Sequence, residues 1–99
     1  MVLARVVGNV VSTRKEQKIE GIPLLLLEKI DPVTLNGKGD FLVAMDSVGA
    51  GPGEVVFYAA GSSSRMTKTT QGKPSDATIT AIVDEIELAG NTVYYKDRV

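Results

Sequence analysis

Leu24, Leu25, Leu26 and Leu27 stand side by side in this chain. A strand that covers a core with one face alternates apolar and polar residues, because successive side chains point to opposite sides of the sheet. A continuous leucine run in a strand therefore turns two leucines inward and two outward. Phe41 to Met45 and Val55 to Tyr58 repeat the pattern. Any sheet built from these strands carries apolar side chains on its outside, and something must cover them.

The remaining pattern is that of a β protein. Apolar runs rich in Val, Ile, Tyr and Phe span Val2 to Val11, Ile22 to Ile30, Phe41 to Val48, Glu54 to Ala60, Thr78 to Leu88 and Thr92 to Lys96. Between them lie TRKEQKIEG, DPVTLNGKG, GAGPG, SSSRMTKTTQGKPS and AGN, each with the Gly, Pro, Asn, Asp or Ser chemistry of turns. Five or six such strands suit a small barrel. Pro74-Ser75-Asp76 could cap one short helical turn, although the β-branched residues of Thr78 to Val83 favour strand there. A second short helix or turn is available near Ser62 to Met66. With 99 residues and no linker, the expectation is one domain over 1–99. A compact chain of this size buries only roughly 64% of its extended surface, which makes covering the outer apolar set matter for stability.

Fully burying a Leu or Val is worth roughly 1.5 to 3 kcal/mol, so four outward residues supply on the order of 6 to 12 kcal/mol. Association costs an estimated 4 to 15 kcal/mol, so only an extensive contact would hold. A helix or long loop of the same chain could cover the outer face instead. The chain has little helix to spare, and this favours a permanent oligomer of identical copies. In the leucine run, replacing whichever of Leu25 and Leu27 faces outward by Asp should break assembly before it unfolds the barrel.

Composition removes much of enzyme chemistry. There is no Cys and no His, so thiolates, imidazole bases and the usual zinc or haem ligands are absent, and no cofactor is expected. Eleven basic against twelve acidic residues give a net charge of -1, which offers no field for polyanions. The apolar run IPLLLL is far too short to span a bilayer, and Arg5 interrupts the N-terminal stretch. The expectation is a soluble cytoplasmic protein with no membrane partner.

Gly49-Ala50-Gly51-Pro52-Gly53-Glu54 invites a phosphate-loop reading, yet it lacks the GxGxxG spacing and a following GK[ST]. It joins two strand-like runs, so no helix dipole stands behind it, and a glycine-shaped turn is the better reading. Ser62, Ser63 and Ser64 have no His to activate them; a serine–lysine pair with Lys68 or Lys73 would be the enzymatic alternative. Asp84, Glu85 and Glu87 read as a solvated strand face, although Asp46 and Asp84 each end an apolar run and should be hydrogen-bonded at a turn or interface. A five-stranded OB-type barrel can also bind single-stranded nucleic acid through aromatic platforms in a positive groove. Phe41, Phe57, Tyr58, Tyr94 and Tyr95 coincide with strands and lack basic clusters around them, so packing explains them better.

Taken together, Ala4 to Val11 with Thr13 and Lys15, Glu20-Gly21 and the leucines, Leu42 to Val56, Gly61-Ser62-Ser63-Ser64-Arg65, Asp76 to Ile79 and Ile82-Val83-Asp84 resemble the EutN/CcmL family of bacterial microcompartment vertex proteins. The string Asp46-Ser47-Val48-Gly49-Ala50-Gly51-Pro52-Gly53-Glu54 followed by Gly-Ser-Ser-x-Arg is the specific part, and the likeness runs nearly the full length. The resemblance implies an all-β fold with minor α: a five-stranded OB-like barrel with one short helix. It further implies a non-enzymatic homopentamer in the microcompartment shell, closing the corners where facets of hexameric shell proteins meet. Among the motif positions, Gly49, Gly51 and Gly53 are expected to shape a tight loop through positive backbone angles or close approach. Ser62, Ser63 and Arg65 are expected to tie a loop to its surroundings, and Asp46, Glu54 and Asp84 complete the set of structural and assembly residues. Ser64 stands where the family often has Ala, and Pro23 where a Lys is common; Pro23 belongs at a strand start or bulge.

Overall fold

The computed structural model describes residues 1–12, 21–67 and 76–96. Among them lie the strands β1 (Val2–Val10), β2 (Leu24–Ile30), β3 (Gly37–Asp46), β4 (Val55–Ala60), β5 (Ala77–Ile82), β6 (Glu85–Leu88) and β7 (Asn91–Tyr95), with a 3-10 helix over Gly61–Arg65. The strands β1 to β5 close into a barrel in the order β1-β2-β3-β5-β4, with β1 also paired to β4. All neighbours are antiparallel except β3 and β5, which meet in parallel at Met45↔Thr78 and Asp46↔Ile79. This is the five-stranded barrel expected from the sequence.

Ala77–Ile82 is strand, as its β-branched residues favoured, so no helix begins at Ala77; Pro74 and Ser75 lie outside the described residues. The single long run expected from Thr78 to Leu88 is instead broken at Val83 and Asp84. Beyond the break, β6 pairs with β7 in a separate two-stranded sheet laid against the outside of the barrel. Pro23 directly precedes β2, where its missing N–H costs no ladder bond, and its carbonyl accepts from the Asp46 N–H at 3.0 Å.

The molecule has apolar packing on both sides of one wall. Inside the barrel, Ala4, Val6, Leu27, Val56, Tyr58 and Ile79 form the main core. Outside it, Val55, Ile30 and Val83 make a second cluster with Leu3, Phe57, Ile86 and Tyr94. The strand β4 is therefore shielded on both faces: Val55 and Val56 point opposite ways and neither reaches solvent. For Val55 to Tyr58 the cover over the outer set is the chain's own C-terminal hairpin, not a neighbouring copy.

Candidate assembly surface

Away from Leu3, Ile30 and Met45, the outer face of β1, β2 and β3 is left partly open by the described residues. Leu27 is wholly buried and Leu25 nearly so, while Leu24 and Leu26 turn outward and stay half-buried. The expectation that one of Leu25 and Leu27 faces outward is thus corrected: residues two apart on a strand share a face, and both belong to the core. The register lines Val10, Leu24 and a buried Met45 in one row, Gly8, Leu26 and Val43 in the next, and Glu28 with Phe41 beyond them. Phe41 is 54% exposed and Val43 43%, with Val7 beside the β1 bulge equally open.

At the end of β3 the chain turns through the Asp46–Glu54 segment, and Asp46 organises it. Its buried carboxylate accepts the N–H groups of Val48 and Gly49 on Oδ1 and of Ala50 on Oδ2, each at 3.0 Å. Three converging donors compensate a buried charge that would otherwise be costly. Gly49 (φ 77°) and Gly53 (φ 81°) take left-handed backbone that a Cβ would strain. Gly51 has no positive φ; a Cβ there would come 3.4 Å from Glu54 Oε1. The Gly51–Glu54 turn closes with the Glu54 N–H donating to the Gly51 carbonyl at 3.2 Å. Pro at its second position and a left-handed Gly at its third suit a type II turn. Gly53 N–H donates to the Val6 carbonyl and Val6 N–H to the Glu54 carbonyl, both at 2.9 Å, so the loop is stitched to β1.

Glu54 also ties this loop to the hairpin. Its Oε1 accepts the Gly51 N–H at 2.5 Å, and its Oε2 pairs with Lys96 Nζ at 2.9 Å. The Lys96 ammonium, and after it the Gly51 N–H, hold the Glu54 carboxyl below the usual carboxylate range. Lys96 N–H in turn donates to the Asp84 carbonyl at 2.8 Å. Asp84 thus contributes through its backbone at the hairpin base, with its side chain exposed.

Among the described side chains of the 3-10 helix, Ser64 is turned inward, which the motif gave no reason to single out. It is fully buried, donates from Oγ to the Gly61 carbonyl at 2.6 Å, and offers its own carbonyl to Thr78 Oγ1 at 2.5 Å. Ser62 is exposed, and the side chains of Ser63 and Arg65 lie outside the described residues. Three serines in a row give no sequence signal for which one a short helix will bury. Among the described residues no group of three or more His, Cys, Asp or Glu gathers as a metal site. Lys29 and Asp40 pair at 3.1 Å beside a cleft of about 440 Å³ at the β3–β5 seam, and the Asp40 carboxylate holds the ammonium above the ordinary lysine value.

These features have known relatives. The family described as "Ethanolamine utilisation protein EutN/carboxysome" matches residues 1–84. The chain is 38% identical over 96 residues to the bacterial microcompartment shell vertex protein EutN of Escherichia coli strain K12, covering 97% of this chain and 100% of the relative. The structure of CcmL from Nostoc sp. PCC 7120 superposes with a TM-score of 0.92 at 39% identity, over 97% of this chain and 100% of that one. The pentameric microcompartment shell protein GrpN from Rhodospirillum rubrum gives a TM-score of 0.79 at 38% identity, over 89% and 98%. From motif string through barrel order to superposition, the chain belongs to the EutN/CcmL family.

Proposed function

We infer that this chain is a structural vertex protein of a bacterial microcompartment shell, acting as a homopentamer rather than as an enzyme. The observation that carries the reading is the partly exposed apolar row of Val7, Leu24, Leu26, Phe41 and Val43 on β1–β2–β3, in a barrel whose hairpin covers only the outer wall around Val55 and Phe57. Completing the burial of Val7, Leu24, Leu26, Phe41 and Val43 is worth roughly 4 to 7 kcal/mol, taking about half of each full-burial value. That lies at the low end of the cost of association. A ring gives every subunit two contacts, one on each side, which moves the balance toward the closed assembly.

Residues 1–99 then work as one unit. Its partners are other copies of itself and, at the shell corner, hexameric shell proteins; neither nucleic acid nor a membrane is required. Asp46, Gly49, Gly51, Gly53, Glu54, Ser62, Ser63, Arg65 and Asp84 serve shape and assembly rather than chemistry. Native mass spectrometry of the purified chain should give five times the subunit mass. A stable, well-ordered monomer at micromolar concentration would overturn the reading.

A further inference from the structure

The chain carries three asparagines, and the residue after each decides how open its side-chain amide is to attack from the backbone. Asn9 precedes Val10 within β1 and Asn91 precedes Thr92 within β7, so a β-branched side chain crowds the nitrogen that would have to attack. Asn36 precedes Gly37, and both are exposed at the turn where β3 begins. Gly37 has no Cβ to stand in the way. The fold also keeps it glycine, since a Cβ there would run into the Glu28 carboxylate, which accepts the Gly39 N–H at 3.0 Å.

The strand pairing leaves the Gly37 nitrogen outside the ladder. The Asp31 N–H donates to the Asn36 carbonyl at 2.9 Å, one position along from the register pair Ile30↔Gly37. Hydrogen-bonded and non-hydrogen-bonded pairs alternate along an antiparallel ladder, so Ile30 and Gly37 face each other without exchanging bonds and the Gly37 N–H points away from β2. On that far side β3 meets β5 only at Met45 and Asp46, so no described strand receives it. Among the described residues the Asn36 side-chain amide is held by no hydrogen bond; only its backbone N–H is engaged, with Thr34 Oγ1 at 3.3 Å.

We propose that Asn36 is a site of spontaneous deamidation, a covalent modification that needs only water. The Gly37 nitrogen bonds to Asn36 Cγ, the Cγ–amide bond breaks, and the proton lost by Gly37 leaves on the departing ammonia, closing a succinimide. Water then opens that ring at one of its two carbonyls. Breaking the Cγ–nitrogen bond gives aspartate; breaking the backbone carbonyl–nitrogen bond gives isoaspartate, and nothing is oxidised or reduced. Isoaspartate routes the main chain through its β-carbon and draws the carbonyl away from the Asp31 N–H. Either product adds a carboxylate to a turn that already holds those of Asp31 and Glu28. The chemistry lies within one subunit and does not depend on the ring reading.

The test ages the purified chain in neutral buffer and follows the tryptic peptide Ile30–Lys38, in which Asn36 is the single asparagine, with the fresh digest as baseline. The expected result is two new species that have exchanged ammonia for water, the isoaspartyl form in excess, while the peptides holding Asn9 and Asn91 stay unchanged. Asn36→Gln, which can close only a larger ring, should abolish both species and leave the fresh protein's melting temperature where it was. A synthetic Ile30–Lys38 peptide aged in parallel reports the same chemistry without the fold. If that peptide converts and the folded chain does not, the fold protects Asn36 and the proposal falls. Conversion at Asn9 or Asn91 ahead of Asn36 would overturn it as well.

Discussion

Gly51 and Gly53 are two residues apart, and of the two only Gly53 needs to be glycine. Gly53 holds a left-handed backbone at φ 81°, whereas a Cβ at Gly51 would meet the Glu54 carboxylate only at ordinary contact distance. Gly53→Ala should therefore cost about 1 to 2 kcal/mol, the penalty for placing a Cβ in that region. Gly51→Ala should fall within about 0.5 kcal/mol of the parent. Urea unfolding of the two variants separates these outcomes, and equal losses would contradict the assignment. The sequence offered both reasons for all three glycines of the loop without dividing them, because φ is settled by where the turn falls and not by the glycine count. Asp46 was legible for a simpler reason: a carboxylate ending an apolar run has to be hydrogen-bonded, and the nearest free N–H groups are those of the turn just after it. Ser64 was not legible among its neighbours, since burial within a short 3-10 helix depends on how that helix is laid against Thr78.

At the scale of elements, the barrel strands could be read because apolar runs and turn residues alternate along the chain. The AGN turn and the strand after it could be read as well, but not the separation of this hairpin from the barrel. The break at Val83-Asp84 contains neither Gly nor Pro, and β6 reads Glu-Ile-Glu-Leu, in which Ile86 reaches the second cluster while Glu85, Glu87 and Leu88 are exposed. Such a segment looks like a solvated extension of the strand before it. Its attachment depends in part on Glu54, which joins the glycine loop to Lys96 just after β7. The Glu54 carboxyl titrates below its ordinary value when folded, so the unfolded chain binds the proton more readily. The stabilisation is present above the ordinary glutamate range and is lost as pH falls through the depressed folded value. Glu54→Gln should lower stability by about 1 kcal/mol at neutral pH, a modest figure because the pair is only partly buried. The gap between variant and parent should close on acidification. Melting temperatures of both, tracked from pH 7 to the acid limb, test this; a constant gap would remove Glu54 from the hairpin's attachment.

The whole molecule is shaped by having apolar residues on both sides of its wall, and this much was legible in the four leucines. Which outer surfaces the chain covers for itself was not, because that depended on where the C-terminal hairpin is laid. Leu26 and Leu27 now separate assembly from folding. Leu26→Asp places a charge in the outward row and should give a folded monomer whose melting temperature does not change with protein concentration, while that of the parent rises with it. Leu27→Ala removes wholly buried packing and should cost about 2 to 5 kcal/mol of barrel stability. Analytical ultracentrifugation with thermal melts at several concentrations distinguishes the two, and a pentameric Leu26→Asp would place the contact elsewhere.

The C-terminal hairpin has a consequence for valence. By sealing the wall around Val55 and Phe57 it withholds that wall from the two contacts each subunit of a ring makes, and head-to-tail units close into a ring when the rotation between them completes a turn. A third adhesive side would permit branching, and branched contacts grow into open networks that no corner could use. Eleven residues from Glu85 to Tyr95, folded back on their own barrel, thereby take one apolar wall out of reach of a neighbour.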